Sequence, residues 1–225
     1  MGCLLDMKKY VNEELDSKIY IENNVYKRLL MIQKERVRLE TGGIIIGYYD
    51  EDCRNAIITE CTNPPKDSIA TRKCFLRGVK GLKSLLKKKW NEKNEYYLGE
   101  WHLHPGASPQ PSITDIFQMK KIEHNPKFNC QEPILLIVGE KYNNFEISLI
   151  LFKNNKQYFY IESETSVYKG YKQDKIEMRG DRAEMSDFPL YLNTVAGGLD
   201  RRDQTIGGFS FVVKIYAVPV VEIIG

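Results

Sequence analysis

The chain reads as an α+β domain of layered α/β type, a mixed β-sheet flanked by helices. Three observations carry this reading. Pro133-Ile134-Leu135-Leu136-Ile137-Val138 is a continuous apolar run, as expected of a strand buried on both faces. Two segments, 24–39 and 79–92, repeat apolar residues at helical spacing. Further aromatic or alternating stretches of strand length intermix with them along the chain.

The elements follow in order. Asn24 is placed to cap a helix over 24–39, in which Val25, Leu29 and Ile32 form the apolar stripe and basic residues lie opposite. Gly42-Gly43 reads as its stop. Residues 44–49 and 56–62 read as a hairpin across Asp50-Glu51-Asp52-Cys53, and a polar loop with Pro64-Pro65 follows. Val79, Leu82, Leu85, Leu86 and Trp90 then make one face of a helix near 79–92. The lysines between Lys80 and Lys89 are most simply its solvated face. Tyr96-Tyr97-Leu98-Gly99-Glu100-Trp101 is aromatic enough for a strand that runs into His102-Leu103-His104, and Pro105 ends it. Gly106-Ala107-Ser108-Pro109-Gln110-Pro111 is a loop. Ser112 caps a helix that runs to about His124, with Asp115 three residues on as in a capping box. After the apolar strand, 145–153 and 157–163 read as two alternating strands.

Composition changes after about residue 185. Residues 1–185 hold 30 of the 33 basic residues, and the remainder hold only Arg201, Arg202 and Lys214. The end of the chain, 207–225, is strongly β-prone and would be an aggregation hazard if exposed. We therefore divide the chain into a principal domain, 1–163, and a C-terminal extension, 164–225, made of a linker and a β-prone segment. That segment reads as a native β extension, a swapped dimer strand or a fused piece, with native packing favoured.

With 33 basic and 30 acidic residues the net charge is +3, a balance that calls for no nucleic-acid partner. The five cysteines are odd in number and form no CxxC, which points to reduced thiols and a cytoplasmic location. The start, Met1-Gly2-Cys3-Leu4-Leu5-Asp6, is too short an apolar stretch for a signal peptide, and Asp6 breaks the myristoylation pattern. No run approaches the roughly 20 apolar residues that span a membrane. Oligomeric state is not legible.

The chemistry is concentrated between His102 and Asp115. Residues i and i+2 of a strand share a face, so His102 and His104 present both imidazoles to one point. A carboxylate in the first turn of the following helix can face back toward them. Separately, a histidine pair on a strand or a Ser-capped helix is usually structural; together they supply two nitrogens and a carboxylate. Such a set leaves zinc's fourth position open, the arrangement of a catalytic site. His124, near the end of its helix, reads as structural or surface.

His102-x-His104-Pro105-x6-Ser112-x2-Asp115 resembles the JAMM motif of the MPN-domain (JAB1/MPN/Mov34) metalloproteases. Glu40, in Leu39-Glu40-Thr41-Gly42-Gly43-Ile44, stands where that family carries an upstream glutamate, and Gly99-Glu100-Trp101-His102 is similar to its prokaryotic JAB branch. The resemblance spans about residues 20–160. One departure is Leu103, where many members carry Ser or Thr. The resemblance implies an MPN-type, cytidine-deaminase-like sheet. It implies one catalytic Zn2+ on His102, His104 and Asp115, with Glu40 as general base and Ser112 as hydrogen-bond donor to the oxyanion. It implies an isopeptidase acting after the C-terminal tail of a ubiquitin-like modifier or conjugated protein, bound as an added strand. E1-like and E2-like proteins would share the pathway, a bacterial conjugation system of the kind found in antiviral defence. A peptidase trimming a sulfur-carrier or ubiquitin-like precursor is the rival enzyme, and a non-catalytic MPN scaffold the rival binding module. Retention of every ligand position argues against the scaffold.

Overall fold

A computed structural model of the chain describes residues 5–35, 38–72 and 74–168. The β-prone segment 207–225, and with it the question of native, swapped or fused origin, lies outside the described residues. The strands are β1 (Leu5–Asn12), β2 (Ser17–Glu22), β3 (Thr41–Tyr49), β4 (Asn55–Cys61), β5 (Ile69–Ala70), β6 (Phe75–Leu76), β7 (Tyr96–Leu103), β8 (Ile134–Lys141), β9 (Asn144–Lys153) and β10 (Lys156–Tyr168). The helices are α1 (Asn23–Lys34), α2 (Leu82–Lys93) and α3 (Ile113–His124), with a short 3-10 turn at Pro126–Phe128.

Helices and a mixed sheet are both present, as expected, but the sheet is not an open layer. Eight strands close on themselves in the order β1-β10-β9-β8-β7-β3-β4-β2. The closure depends on β1 and β2, which the sequence reading did not anticipate. β1 pairs antiparallel with both β10 and β2, and β2 runs parallel to β4. The short pair β5–β6 forms a separate hairpin where a polar loop was expected.

Three other expectations are corrected. The first helix ends at Lys34, not residue 39, and its N-cap is Glu22, not Asn24. Gly42-Gly43 does not stop it; both glycines lie within β3. The tight turns obey local chemistry. Tyr142-Asn143 and Asn154-Asn155 each link two strands with both residues at positive φ, the geometry of type I′ hairpins.

The central strands are buried on both faces, and their residues alternate between two clusters. Ile45, Leu136, Val138, Leu149 and Leu151 join Val25 and Leu29 of α1. That helix touches both β2 and β8, which lie opposite one another in the closed order. Ile44, Ile46, Leu135, Ile137, Ile150 and Phe152 face the other way, toward Leu82 and Leu86 of α2 and Met119 and Ile122 of α3. The helices thus lie on both faces of the central strands, which preserves a layered arrangement there.

Candidate metal centre

The geometry starts with β7. Its register pairs His102 with Gly42 of β3 on one side and Ile137 of β8 on the other. Alternation turns His102 to the face covered by α3, the side to which Ile44 and Ile137 also point. His104 lies just past the strand end but stays in line, because its N–H donates to the Val138 carbonyl at 2.9 Å. The loop that follows folds back over β8, and Glu140 donates its N–H to the Ala107 carbonyl at 2.7 Å. Gly139 permits this approach: a Cβ there would stand 2.6 Å from that same carbonyl oxygen.

Helix α3 brings the carboxylate. Asp115, Met119 and Ile122 are its buried residues, an i, i+4, i+7 stripe that packs on the sheet and carries Asp115 to the histidines. The expected capping box is complete. The Asp115 N–H donates to Ser112 Oγ at 3.2 Å, while the Ser112 N–H and hydroxyl donate to Asp115 Oδ2 at 2.8 and 2.7 Å. Asp115 Oδ1 lies 2.9 Å from His102 Nδ1, and Oδ2 lies 3.6 Å from His104 Nε2. One ligand atom from each of the three residues falls within 4.8 Å of the others, so together they can hold a metal ion.

Electrostatics agree with that geometry. Burial favours a protonated Asp115, but the hydrogen bonds of His102 and Ser112 and the close approach of His104 outweigh it and hold the carboxyl well below the usual range. Burial likewise disfavours charge on His104, yet the nearby carboxylate of Asp115 and the charge of Glu40 raise its pKa above the ordinary value. Phe75 of β6 packs edge-on against the His102 ring, with centroids 5.8 Å apart.

Glu40 lies beside this group. The β3–β7 register pairs Thr41 with Leu103, and Glu40 is the residue just before that pair, within reach of the charges of His104, Asp115 and His102. Burial, the largest influence, and Asp115 raise its pKa, His104 and His102 draw it down, and the balance leaves it raised. All five residues singled out from sequence therefore meet in one place. Ser112 is exposed, its hydroxyl engaged on Asp115. His124 is exposed at the end of α3 and donates to or accepts no group of this site; its Nδ1 lies 2.7 Å from the Lys120 carbonyl oxygen.

Sequence reasoning missed the support around the site. Phe75 sat in what read as a loop, and Glu100 was noted as part of a motif and as a fallback base, without its partners. Glu100 is buried, with one oxygen accepting from Arg77 Nε at 2.6 Å and the other from the Tyr97 hydroxyl at 2.9 Å. The buried acid inside an aromatic strand was the available signal, since such a group demands partners.

A family model for prokaryotic homologs of the JAB domain matches residues 22–152. A CD-NTase/cGAS isopeptidase of Enterobacter hormaechei is 50% identical over 100 residues, 44% of this chain and 55% of that protein. The chain thus spans about half the length of that curated relative. A CD-NTase/cGAS isopeptidase of Escherichia coli is 31% identical over 134 residues, 57% of this chain and 81% of that protein. A probable metalloprotease, y4qB, of Sinorhizobium fredii is 29% identical over 123 residues, 53% of this chain and 74% of that protein.

Proposed function

The chain belongs to the prokaryotic homologs of the JAB domain, and on that premise we propose that it is a zinc-dependent isopeptidase of a bacterial conjugation system. The bond cut is the amide or isopeptide bond after the C-terminus of a ubiquitin-like or otherwise conjugated protein. Relatives named CD-NTase/cGAS isopeptidase support a CD-NTase- or cGAS-type conjugate as substrate, and the system we propose is one that serves antiviral defence. The observation that carries the reading is the convergence of His102, His104 and Asp115, with Glu40 near enough for their charges to act on it.

The donor set fits zinc. Two imidazole nitrogens and one carboxylate oxygen are the ligand types of catalytic zinc sites, and three protein ligands leave a position for water or substrate. Bound there, the ion would polarise the scissile carbonyl and bring the pKa of water down to roughly 7.

The remaining work falls to the chain's own groups. Glu40 accepts the proton of the attacking water and returns it to the departing lysine amine. Its raised pKa suits a group that must both take and give. Ser112 holds Asp115 in position through the capping box, and its exposed hydroxyl lies at the mouth of the site. Turned from Asp115, that hydroxyl would donate to the oxyanion that forms as the carbonyl is attacked. The free thiols Cys53, Cys61, Cys74 and Cys130 support a reducing cytoplasmic setting. Among the described residues no helix is long and apolar enough to cross a membrane.

A lysine-linked conjugate, set beside a linear C-terminal extension of the same ubiquitin-like protein, tests the assignment. We expect cleavage of the lysine-linked substrate, abolished by a chelator and restored by zinc. Cleavage of the linear extension alone would favour precursor trimming. Metal-loaded protein that binds both and cuts neither would favour a scaffold.

A further inference from the structure

Outside the ligand set, the segment from Asp67 to Lys80 makes two contacts with the site and one with the sheet beneath it. The Glu40 N–H donates to the Thr71 carbonyl at 2.8 Å, so this segment holds the backbone of the proposed base. Phe75 packs edge-on against the ring of His102. The segment is itself tied together. Thr71 and Cys74 close its turn through an N–H to carbonyl bond of 2.8 Å, and Ser68 Oγ accepts from the Gly78 N–H at 2.9 Å. Asp67 accepts from the N–H groups of Val79 and Lys80 at 2.9 and 3.0 Å.

Its link to the sheet is a buried ion pair. Arg77 Nε meets Glu100 Oε2 at 2.6 Å, with the two side chains 11% and 6% exposed. Arg77 Nη1 also donates to the Gly78 carbonyl at 2.8 Å, and Tyr97 takes the second oxygen of Glu100. Glu100 and His102 are i and i+2 on β7 and share a face. The anchor and the ligand thus stand side by side on one strand, and the hairpin of β5 and β6 rests on both.

A buried ion pair is weak evidence for stability, because the cost of desolvating both charges offsets most of the attraction. Its directional geometry is what an apolar pair could not supply. We propose that Arg77 and Glu100 are positioning residues: the pair seats the Asp67–Lys80 segment, which in turn sets the Glu40 backbone and the His102 ring. The inference rests on the functional reading above for what Glu40 and His102 do, but the coupling itself is structural.

Arg77→Gln, with Arg77→Lys as the conservative variant, is the first test. Arg77→Gln should lower kcat by roughly 10- to 100-fold, the scale of a misplacement near 1 Å. KM should change little, and Arg77→Lys should recover part of the loss. Two readouts do not need turnover. Amide exchange at Glu40 should accelerate in Arg77→Gln, because its bond to Thr71 is released. The visible spectrum of the cobalt-substituted protein should shift as the His102 ring moves.

Arg77→Gln leaves Glu100 buried with half its partners, and misfolding would follow if that cost dominates. The pair Arg77→Met with Glu100→Gln removes both charges and keeps a partner for Tyr97, an exchange that is often near neutral for stability. If that double variant melts like wild type yet keeps wild-type kcat, Glu40 amide protection and cobalt spectrum, the proposal is overturned. If wild-type protein cuts no conjugate, the functional reading fails, while amide exchange and the cobalt spectrum still decide the positioning role.

Discussion

Gly42 and His102 face one another across β3 and β7 at a distance only glycine allows. A Cβ at position 42 would lie 2.2 Å from the Trp101 carbonyl oxygen and 3.0 Å from His102 Cδ2 and Phe75 Cε1. Backbone, imidazole ring and hairpin would all be pressed by one methyl group. Gly42→Ala should therefore destabilise the fold by about 1–3 kcal/mol, the usual cost of overpacking, and weaken metal retention with it. Denaturant unfolding beside metal analysis checks both. An alanine variant of wild-type stability and full metal content would show that the strands separate more easily than this register suggests.

Metal and base should separate by mutation. Purified protein should carry about one zinc, as three protein ligands define one catalytic site. His104→Ala should lose it. Glu40→Gln should keep it and lose activity by roughly 10²- to 10⁴-fold, the range of positioned acid–base catalysis. Glu100 offers no substitute base, since Arg77 and Tyr97 occupy both of its oxygens. Elemental analysis and single-turnover cleavage supply the comparison, and wild-type turnover in Glu40→Gln would remove it from the mechanism.

Stability of the metal-free protein should peak in mildly acidic solution. Asp115 titrates below its ordinary value when folded, so its contribution is present above an unfolded pKa of about 3.9 and lost as pH falls. His104 titrates above its ordinary value, so its contribution is present below about 6.5 and lost as pH rises through the folded value. The pair thus stabilises most between about pH 4 and 6.5. Zinc requires neutral imidazoles and should move the optimum upward. Thermal melts against pH, with Asp115→Asn as the control, test this. The Asn variant should show a flatter metal-free profile, and an unchanged profile would contradict the assignment.

Thiol reactivity should follow burial. Cys74 is exposed and should be alkylated in the native protein at neutral pH. Cys61 is 1% exposed, and burial pushes its thiol pKa far up, so it should react only after unfolding. Peptide mapping after a short alkylation distinguishes the two. Early labelling of Cys61 would mean that β4 opens locally.

Legibility in the sequence tracked sequence distance. The grouping of His102, His104 and Asp115 was readable because strand alternation and helix capping are local rules, and both act within residues 102–115. The central strands were readable because burial on two faces makes them apolar throughout. β1 was not, because Asp6, Lys8 and Lys9 interrupt Leu5–Asn12 and mask its alternation. Its partners lie far off: Leu5 pairs with Tyr168. Nor could the parallel pairing of β2 with β4 be read, since nothing local specifies it. The β5–β6 hairpin has two residues per strand, too few to show a period. Its role emerges only where Arg77 meets Glu100 in space.

The closed strand order has a consequence for how copies of the protein meet. β1 is the seam: it covers one edge of β10 and one edge of β2. With it in place, residues 17–22 of β2 and 161–168 of β10 both have a strand partner on that side, so strand pairing between copies has no template along this seam. Peeling β1 away would expose two unpaired N–H and C=O rows at once. Strand β1 thus guards the sheet against polymerising along its own seam.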